Sequence, residues 1–160
     1  MTLVRAFILS CCLMAVGGSS VFADQAGVGT ASKVVNDVSG LLEGAVRELS
    51  LEDRVYLNEV IESGADSATE IVFRDGTRLR MGPLSRITLN AVVFDPEPAK
   101  SRFTASLQQG VFQITSGTLP KDRYRFETPT GTIGIRGTVF TVLVMSPEIE
   151  DWLERVRPAD

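Results

Sequence analysis

The chain of 160 residues contains no histidine and only two cysteines, Cys11 and Cys12. Both cysteines lie in an N-terminal apolar run, so the rest of the chain has neither an imidazole nor a thiol. That excludes the common soft-metal sites and the Ser-His and Cys-His pairs of nucleophilic enzymes. Disulfides are excluded there too, so a folded domain must be held together by its apolar core.

An excess of positive charge is also lacking. The chain has 16 Lys and Arg against 20 Asp and Glu, a formal charge of −4. Nucleic-acid-binding domains favour a basic footprint, so the sequence argues against a nucleic-acid partner. No later apolar run reaches the roughly 20 residues that a membrane-spanning helix needs. We therefore predict no transmembrane segment in the mature chain, and no motif indicates a cofactor or a metal.

Residues 1–23 have the pattern of a secretory signal peptide. Arg5 precedes an apolar run of about 11 residues, and small or β-branched residues lead to Ala23. The run is too short to span a membrane. We predict cleavage near Ala23 and a periplasmic or secreted location. The small polar residues that follow, 24–33, predict a flexible leader.

Residues 34–145 predict an all-β domain of short antiparallel strands, with turn signals about every 8 to 12 residues. Between Val34 and Val46 the apolar spacing fits either a helix or two strands, and the turn residues favour strands. Val55–Ile61 predicts one extended segment. The rhythm of strand and turn fits either a sandwich-like single domain or an irregular β-solenoid.

The clearest local unit is a hairpin around Asp75-Gly76. Alternating apolar residues flank this pair, which is typical of a type I′ turn. Ile71, Phe73, Leu79 and Met81 then fall on the buried side. The opposite face collects Arg74, Arg78 and Arg80, which form either a solvated face or a small basic patch for an anionic ligand or partner.

The stretch Thr128–Val144 places three glycines and one arginine in the longest apolar, β-branched part of the chain. Glycine is unfavourable inside a strand, so Gly131, Gly134 and Gly137 predict tight β corners. A phosphate-binding loop is disfavoured, because the strand–loop–helix context is missing.

Arg136 lies among the apolar neighbours of this stretch. A guanidinium there needs a partner, so we predict a structural tie to Asp75 or Asp95 and a lower melting temperature for Arg136→Ala. Thr138–Met145 is apolar on both faces, which predicts a strand buried on both sides. Neither Asp75, which the turn requires, nor Asp95, in a proline loop, has a second catalytic partner. The sequence therefore predicts no enzyme.

Residues 146–160 predict a C-terminal helix and tail. Ser146 is a good N-cap, Pro147 suits the first helical position, and acidic residues occupy the first turn. An amphipathic helix is predicted from Pro147 to about Arg155, with Trp152 on its apolar face. It either covers a sheet edge or docks on a partner. Trp152 and the three arginines are the candidate partner surface.

Taken together, these motifs resemble the FecR-type domain family of bacterial envelope proteins. The matching segments are Ser63–Ser67, Phe73–Thr77, Leu79–Ser85, Ile87–Leu89, Phe94–Pro96, Gln109–Phe112 and, most specifically, Thr128–Thr138. The resemblance implies a periplasmic β-rich domain, solenoid-like in known relatives. In the best-understood members it is part of a membrane-spanning regulator that relays ferric-siderophore receptor occupancy to a sigma factor. The signal peptide replaces that regulator's cytoplasmic region and membrane helix, so we expect a stand-alone exported form.

We therefore expect a non-enzymatic exported envelope module that binds a protein partner or a ligand. A signalling or sensing circuit, with another envelope protein as the partner, is the favoured interpretation. The alternative is a structural or assembly component of an envelope or secreted complex. The sequence leaves the oligomeric state open.

Overall fold

The computed structural model describes residues 27–95, 97 and 100–157. The predicted signal peptide and its cleavage near Ala23 lie outside these residues. The described residues form twelve strands, one 3-10 turn at Lys121–Arg123 and one α-helix, α1, at Pro147–Val156. The strands are β1 (Gly29–Val35), β2 (Val38–Leu42), β3 (Ala45–Glu48), β4 (Arg54–Val55), β5 (Val60–Ser63), β6 (Ala68–Phe73), β7 (Arg78–Met81), β8 (Arg86–Val93), β9 (Arg102–Thr115), β10 (Tyr124–Thr128), β11 (Gly131–Gly134) and β12 (Val139–Val144).

The 14-residue strand β9 joins two halves of one curled sheet. Its first part pairs with β8 and, in parallel, with β10, in a half that we call sheet B, ordered β3-β2-β5-β8-β9-β10-β11. Its last part pairs antiparallel with β7 and β12, in a half that we call sheet A, ordered β4-β1-β6-β7-β9-β12. Alternation along each strand sends one set of side chains between the two halves.

The core lies where sheets A and B face each other. Phe73 of sheet A meets Phe103 of sheet B edge-on, with ring centroids 4.8 Å apart. Phe103 in turn contacts Phe126 at 5.6 Å. The predicted inward set of the hairpin, Ile71, Phe73, Leu79 and Met81, is at most 2% exposed. The predicted all-β class with a short C-terminal helix is confirmed, and the facing halves match the sandwich-like arrangement.

Gly110 marks the place where β9 passes from sheet B to sheet A. Its φ is 110°, and an added Cβ would lie 2.4 Å from the Cα of Ser85. Only glycine combines that backbone angle with so close an approach. The chain bends here and continues as one strand.

The prediction of a flexible leader at 24–33 is wrong over its second half. β1 begins at Gly29 and pairs with β6, and Ala31 is fully buried. Strands rather than a helix follow, as predicted. Asn36-Asp37 separates β1 from β2, and Glu43-Gly44 separates β2 from β3.

The extended segment predicted at Val55–Ile61 is interrupted by a turn. Asn58 adopts a φ of 62°, a conformation that asparagine tolerates better than most residues. The Glu59 carboxylate accepts the Tyr56 amide at 2.8 Å and closes this turn. The residues therefore divide between β4 and β5.

The hairpin turn between β6 and β7 exists, but it is not type I′. Only Gly76 has a positive φ, 82°, whereas a type I′ turn needs two such residues. The Phe73 amide bonds the Thr77 carbonyl at 2.9 Å, and the Gly76 amide bonds the Phe73 carbonyl at 2.9 Å. This is the three-residue loop in which a glycine follows an ordinary turn.

The C-terminal elements are an edge strand and a capped helix. β12 pairs with β9 along its whole length and ends sheet A in the described part of the chain. The Ser146 hydroxyl accepts the Ile149 amide at 3.3 Å, as expected of an N-cap. Ile149 is buried at 1% exposure, so the predicted helix is confirmed and packs on the domain through this residue.

Candidate interaction surface

The predicted arginine face is real, but an acidic residue on β6 neutralises part of it. The registers of sheet A place Lys33, Glu70, Arg80, Gln113 and Thr141 in one row across five strands. Glu70 bonds Arg80 at 2.5 Å and lies 4.0 Å from Arg78. The hydrogen bond from Arg80 lowers the pKa of the Glu70 carboxyl, with smaller contributions from Ser32 and Arg78 and opposition from partial burial.

These contacts favour the solvated-face interpretation of the arginines. Arg80 also donates to Gln113 at 3.0 Å, so two of its nitrogens are already bonded within the domain. Arg74 is exposed in the hairpin turn. The face is therefore a mixed polar surface rather than a basic patch.

Asp75 has a role beyond the turn. It is 8% exposed, and its carboxylate accepts the Thr77 amide at 3.0 Å, the Thr77 hydroxyl at 2.6 Å and the Tyr124 hydroxyl at 2.6 Å. Its carbonyl accepts the Thr118 amide at 2.9 Å. Burial, reinforced by Asp75, raises the pKa of Tyr124 to about 12. The network ties the β6–β7 hairpin to the start of β10.

Glu59 is a second buried carboxylate, and sequence reasoning missed it. It is 0% exposed and lies 2.9 Å from the Arg47 guanidinium. Gly40 makes room for it, because an added Cβ would lie 2.1 Å from the Glu59 Oε1 atom. The glycine in the β2 sequence was the available signal, but the side chain that fills its space comes from the turn before β5.

The structural tie predicted for Arg136 is wrong. Arg136 is exposed, and no ion pair in the described residues joins it to Asp75 or Asp95. Asp75 uses Tyr124 instead, and Asp95 accepts the Glu97 amide at 2.8 Å. Arg136 lies with Lys121 and Arg125 along a shallow groove beside β11. Its apolar sequence neighbours do not enclose it.

The three glycines of the same stretch do not form tight corners. An added Cβ meets nothing within 4 Å at Gly131 or Gly134, and only the Val139 carbonyl oxygen, at 3.9 Å, at Gly137. None of the three has a positive φ. The domain itself therefore leaves open space around the most distinctive part of the sequence.

The strongest candidate for recognition lies beyond these glycines. Five of the eight exposed large apolar side chains in the described residues follow residue 138. We call them the C-terminal apolar surface: Val139, Leu143, Met145, Leu153 and Val156. Val139 is 56% exposed and Leu143 51%, on the outer side of β12. Trp152 is only half-buried next to them in the helix sequence.

This surface overturns the prediction that Thr138–Met145 is buried on both sides. Phe140, Val142 and Val144 face inward opposite Ile114, Phe112 and Gly110, while the alternate residues face outward. Sequence pattern showed that both faces are apolar, but it did not show which face the rest of the domain covers.

Two further findings bear on the class of site. Across residues 27–157, where the structure describes them, no three His, Cys, Asp or Glu side chains are grouped to hold a metal ion. No helix there is long and apolar enough to cross a membrane.

A sequence model of the family described as FecR protein matches residues 59–150 of this chain. The match runs from the buried carboxylate before β5 into the first turn of α1, so it contains the hairpin network, the glycine stretch and β12. No curated protein and no solved structure gives a significant match.

Proposed function

The chain belongs to the FecR protein family, and from that premise we propose that it is an exported, non-enzymatic envelope module that binds a protein partner in a signalling or sensing circuit. The family suggests signalling or sensing as the general role. Export and partner binding are our additions. They rest on the pattern of residues 1–23 and on the C-terminal apolar surface, respectively.

The C-terminal apolar surface carries the proposal. Singly scattered exposed apolar side chains are ordinary on protein surfaces, but here most of them fall within one short segment of the chain. Here the exposed side chains come from one strand and from the helix that follows it directly. Burying such side chains against a partner contributes about 25 cal/mol per Å² of apolar area.

The buried polar groups support a binding role over a catalytic one. The Asp75 carboxylate accepts hydrogen bonds from Thr77 and Tyr124. The Glu59 carboxylate pairs with Arg47 and accepts a hydrogen bond from the Tyr56 amide. A catalytic carboxylate needs access to a substrate proton, and these two are enclosed by their own partners.

A structural or assembly role is the second candidate. One observation favours it: β12 is an edge strand without charged residues, and such edges add strands from other chains. A signalling module would exchange its partner with a stimulus, whereas an assembly component would keep the same neighbours.

Export is tested by expressing the full chain in a bacterial host and fractionating the cells. Mass spectrometry of the periplasmic or secreted protein should find an N-terminus near Asp24. A full-length protein retained in the cytoplasm would contradict this part of the proposal.

Partner binding is tested by affinity capture from envelope extract. Leu153→Lys places a charge on the exposed side of α1, and Leu51→Lys is the matched control, because Leu51 is an exposed leucine in the turn before β4. We expect the wild-type chain and the control to recover the same protein and Leu153→Lys to lose it. Equal recovery by all three, or recovery by none, would count against binding through this surface.

A further inference from the structure

We propose that the open edge of β12 pairs antiparallel with β12 of a second copy of this chain, forming a two-fold dimer. This inference deepens the proposed function, because it names one protein that part of the C-terminal apolar surface binds. It does not depend on the identity of any heterologous partner, and its test separates the two.

The backbone of β12 presents an unpaired row of polar groups. The Ser116 amide, just after β9, donates to the Thr138 carbonyl at 2.8 Å. Thr138 therefore belongs to the set of residues whose backbone groups bond to β9. In an antiparallel ladder such residues alternate, so the amides and carbonyls of Val139, Thr141 and Leu143 point to the other side. No other strand of the described residues pairs with β12 there. An exposed edge of six residues is a template for another strand.

The side chains of β12 offer none of the usual protection against strand addition. From Gly137 to Ser146 there is no charged residue and no proline. Natural edges are normally blunted by lysine, proline, bulges or short length. The other ends of the sheet fit that pattern: β3 carries Arg47 and Glu48, β4 has two residues, and β11 is short and contains two glycines.

The charges that flank this neutral segment favour a second copy over an unrelated strand. Arg136 lies just before β12, and Glu148 lies just after it, in the first turn of α1. Antiparallel pairing about Val142 brings the basic end of one copy to the acidic end of the other, and two-fold symmetry repeats the match. Gln109 donates to the Glu148 carboxylate at 2.8 Å and so holds it at that end of β12.

The same register matches the apolar side chains. Val139 lies opposite the second copy's Met145, and Thr141 lies opposite its Leu143. These outward residues are the exposed ones, and pairing sets them side by side in directly opposed positions on the outer face of the joined sheet. Val142 lies on the two-fold axis, opposite its own copy.

Analytical ultracentrifugation of the exported chain, in a concentration series reaching the millimolar range, tests the dimer. We expect a monomer–dimer equilibrium that Arg136→Glu or Glu148→Arg alone weakens about tenfold, because each change places two like-charge pairs in the interface. The double variant Arg136→Glu/Glu148→Arg should recover the wild-type dissociation constant. A monomer at all concentrations, or no recovery in the double variant, overturns the inference.

Thr141→Lys tests the edge itself, since it sets a charge on the strand without removing a bond to β9. Thr30→Lys on β1 is the matched control, because Thr30 is also an exposed threonine of sheet A. We expect Thr141→Lys to abolish the dimer and the control to keep it, with both variants melting near the wild type. A dimer that survives Thr141→Lys uses another surface and refutes the proposal.

Cysteine cross-linking tests the register. In a Cys11→Ala/Cys12→Ala background, Val142→Cys creates the sole cysteine, and the two copies of residue 142 meet across the axis. We expect Val142→Cys to form a disulfide dimer on mild oxidation, while Val144→Cys on the same inward face does not. Equal cross-linking of both would refute this register.

The two proposals fail separately. If the chain is monomeric while Leu153→Lys still abolishes partner recovery, the dimer is wrong and the proposed function stands. If Thr141→Lys abolishes a genuine dimer and no partner is recovered, the dimer stands and heterologous binding is wrong.

Discussion

Replacing Tyr124 by phenylalanine should lower the stability of this domain well beyond the loss of one hydroxyl group at a surface. Tyr124 is 2% exposed, and its hydroxyl donates to the buried Asp75 carboxylate at 2.6 Å. Phe keeps the ring, which lies 5.8 Å from that of Phe103, and removes only the donor. Asp75 would then keep a buried charge with one partner fewer.

The expected cost follows from that geometry. A hydrogen bond to a charged group contributes about 1.5–3 kcal/mol, and a buried acceptor left short of donors stays desolvated. A loss of roughly 2 kcal/mol lowers the melting temperature of a domain of this size by about 6–10 °C. Tyr56→Phe is the matched control, because Tyr56 is the other of the chain's two tyrosines and is only half-buried.

The pH dependence gives a second readout of the buried Tyr124 hydroxyl, whose pKa is raised first by burial and then by its bond to Asp75. Folding raises the pKa of Tyr124 from 10.0 to about 12, so the folded state holds this proton more tightly than the unfolded state. The associated stability is therefore complete below pH 10 and is lost as the pH rises toward 12. Its full size is roughly 3 kcal/mol. Tyr124→Phe should lose less stability than the control over this interval.

Calorimetry of the two variants, with ultraviolet titration of the phenols, measures both effects. In the wild type the phenol of Tyr124 should ionise only near pH 12. Equal melting temperatures for Tyr124→Phe and Tyr56→Phe would refute the account of the Asp75 network. Ionisation of the Tyr124 phenol near pH 10 would do the same.

Three further predictions follow from the contacts. Gly40→Ala should lower the melting temperature by about 10 °C. The alanine Cβ would lie 2.1 Å from the Glu59 carboxylate and would displace that side chain. An unchanged melting temperature in calorimetry would show that this glycine is not needed. Arg136→Ala and Gly131→Ala should each leave the free energy of unfolding within about 0.5 kcal/mol of the wild type in urea titrations. Both positions are exposed, and an added Cβ at Gly131 meets nothing within 4 Å. A large loss of stability in either variant would support the original prediction of tight β corners and an Arg136 ion pair. The two arginine partners of Glu70 lower its pKa, so the wild type has extra stability above the ordinary pKa of a glutamate and loses it as the pH falls. Glu70→Gln should lack part of this pH-dependent stability. If the melting temperatures of the two proteins differ by the same amount at every pH from 3 to 7, this prediction is wrong.

Features set by near neighbours in the chain could be predicted from the sequence. The β6–β7 hairpin depends on alternation around Asp75-Gly76, and its inward set is buried as expected. The helix depends on Ser146, Pro147 and the spacing of its apolar residues, and its bounds differ from the prediction by one residue. In both cases the determining contacts lie within a few positions.

Features set by distant residues could not be predicted. Asp75 is bound by Tyr124, 49 positions later, and Glu59 by Arg47 across a turn that the sequence did not indicate. The bend of β9 at Gly110 requires glycine because Ser85, from just before β8, lies against it. A glycine in a strand and a buried charged side chain each indicate that another group packs closely against them, but only the fold identifies that group.

The error over β12 is of a different kind, because the pattern was interpreted correctly and the wrong element was expected to cover it. Apolar residues on both faces of Thr138–Met145 indicate that both faces favour burial, and sheet A buries only the inward one. The outward face therefore stays exposed although its side chains favour burial, and the backbone groups of the open edge stay unpaired. A second copy's β12 completes the open edge and sets its own apolar side chains beside those of the outward face, since the segment has no charge to oppose self-pairing and opposite charges at its two ends to align it. In the proposed dimer, β12, which the sequence pattern predicted to be a central strand within one chain, lies at the centre of a sheet formed by two copies of the chain.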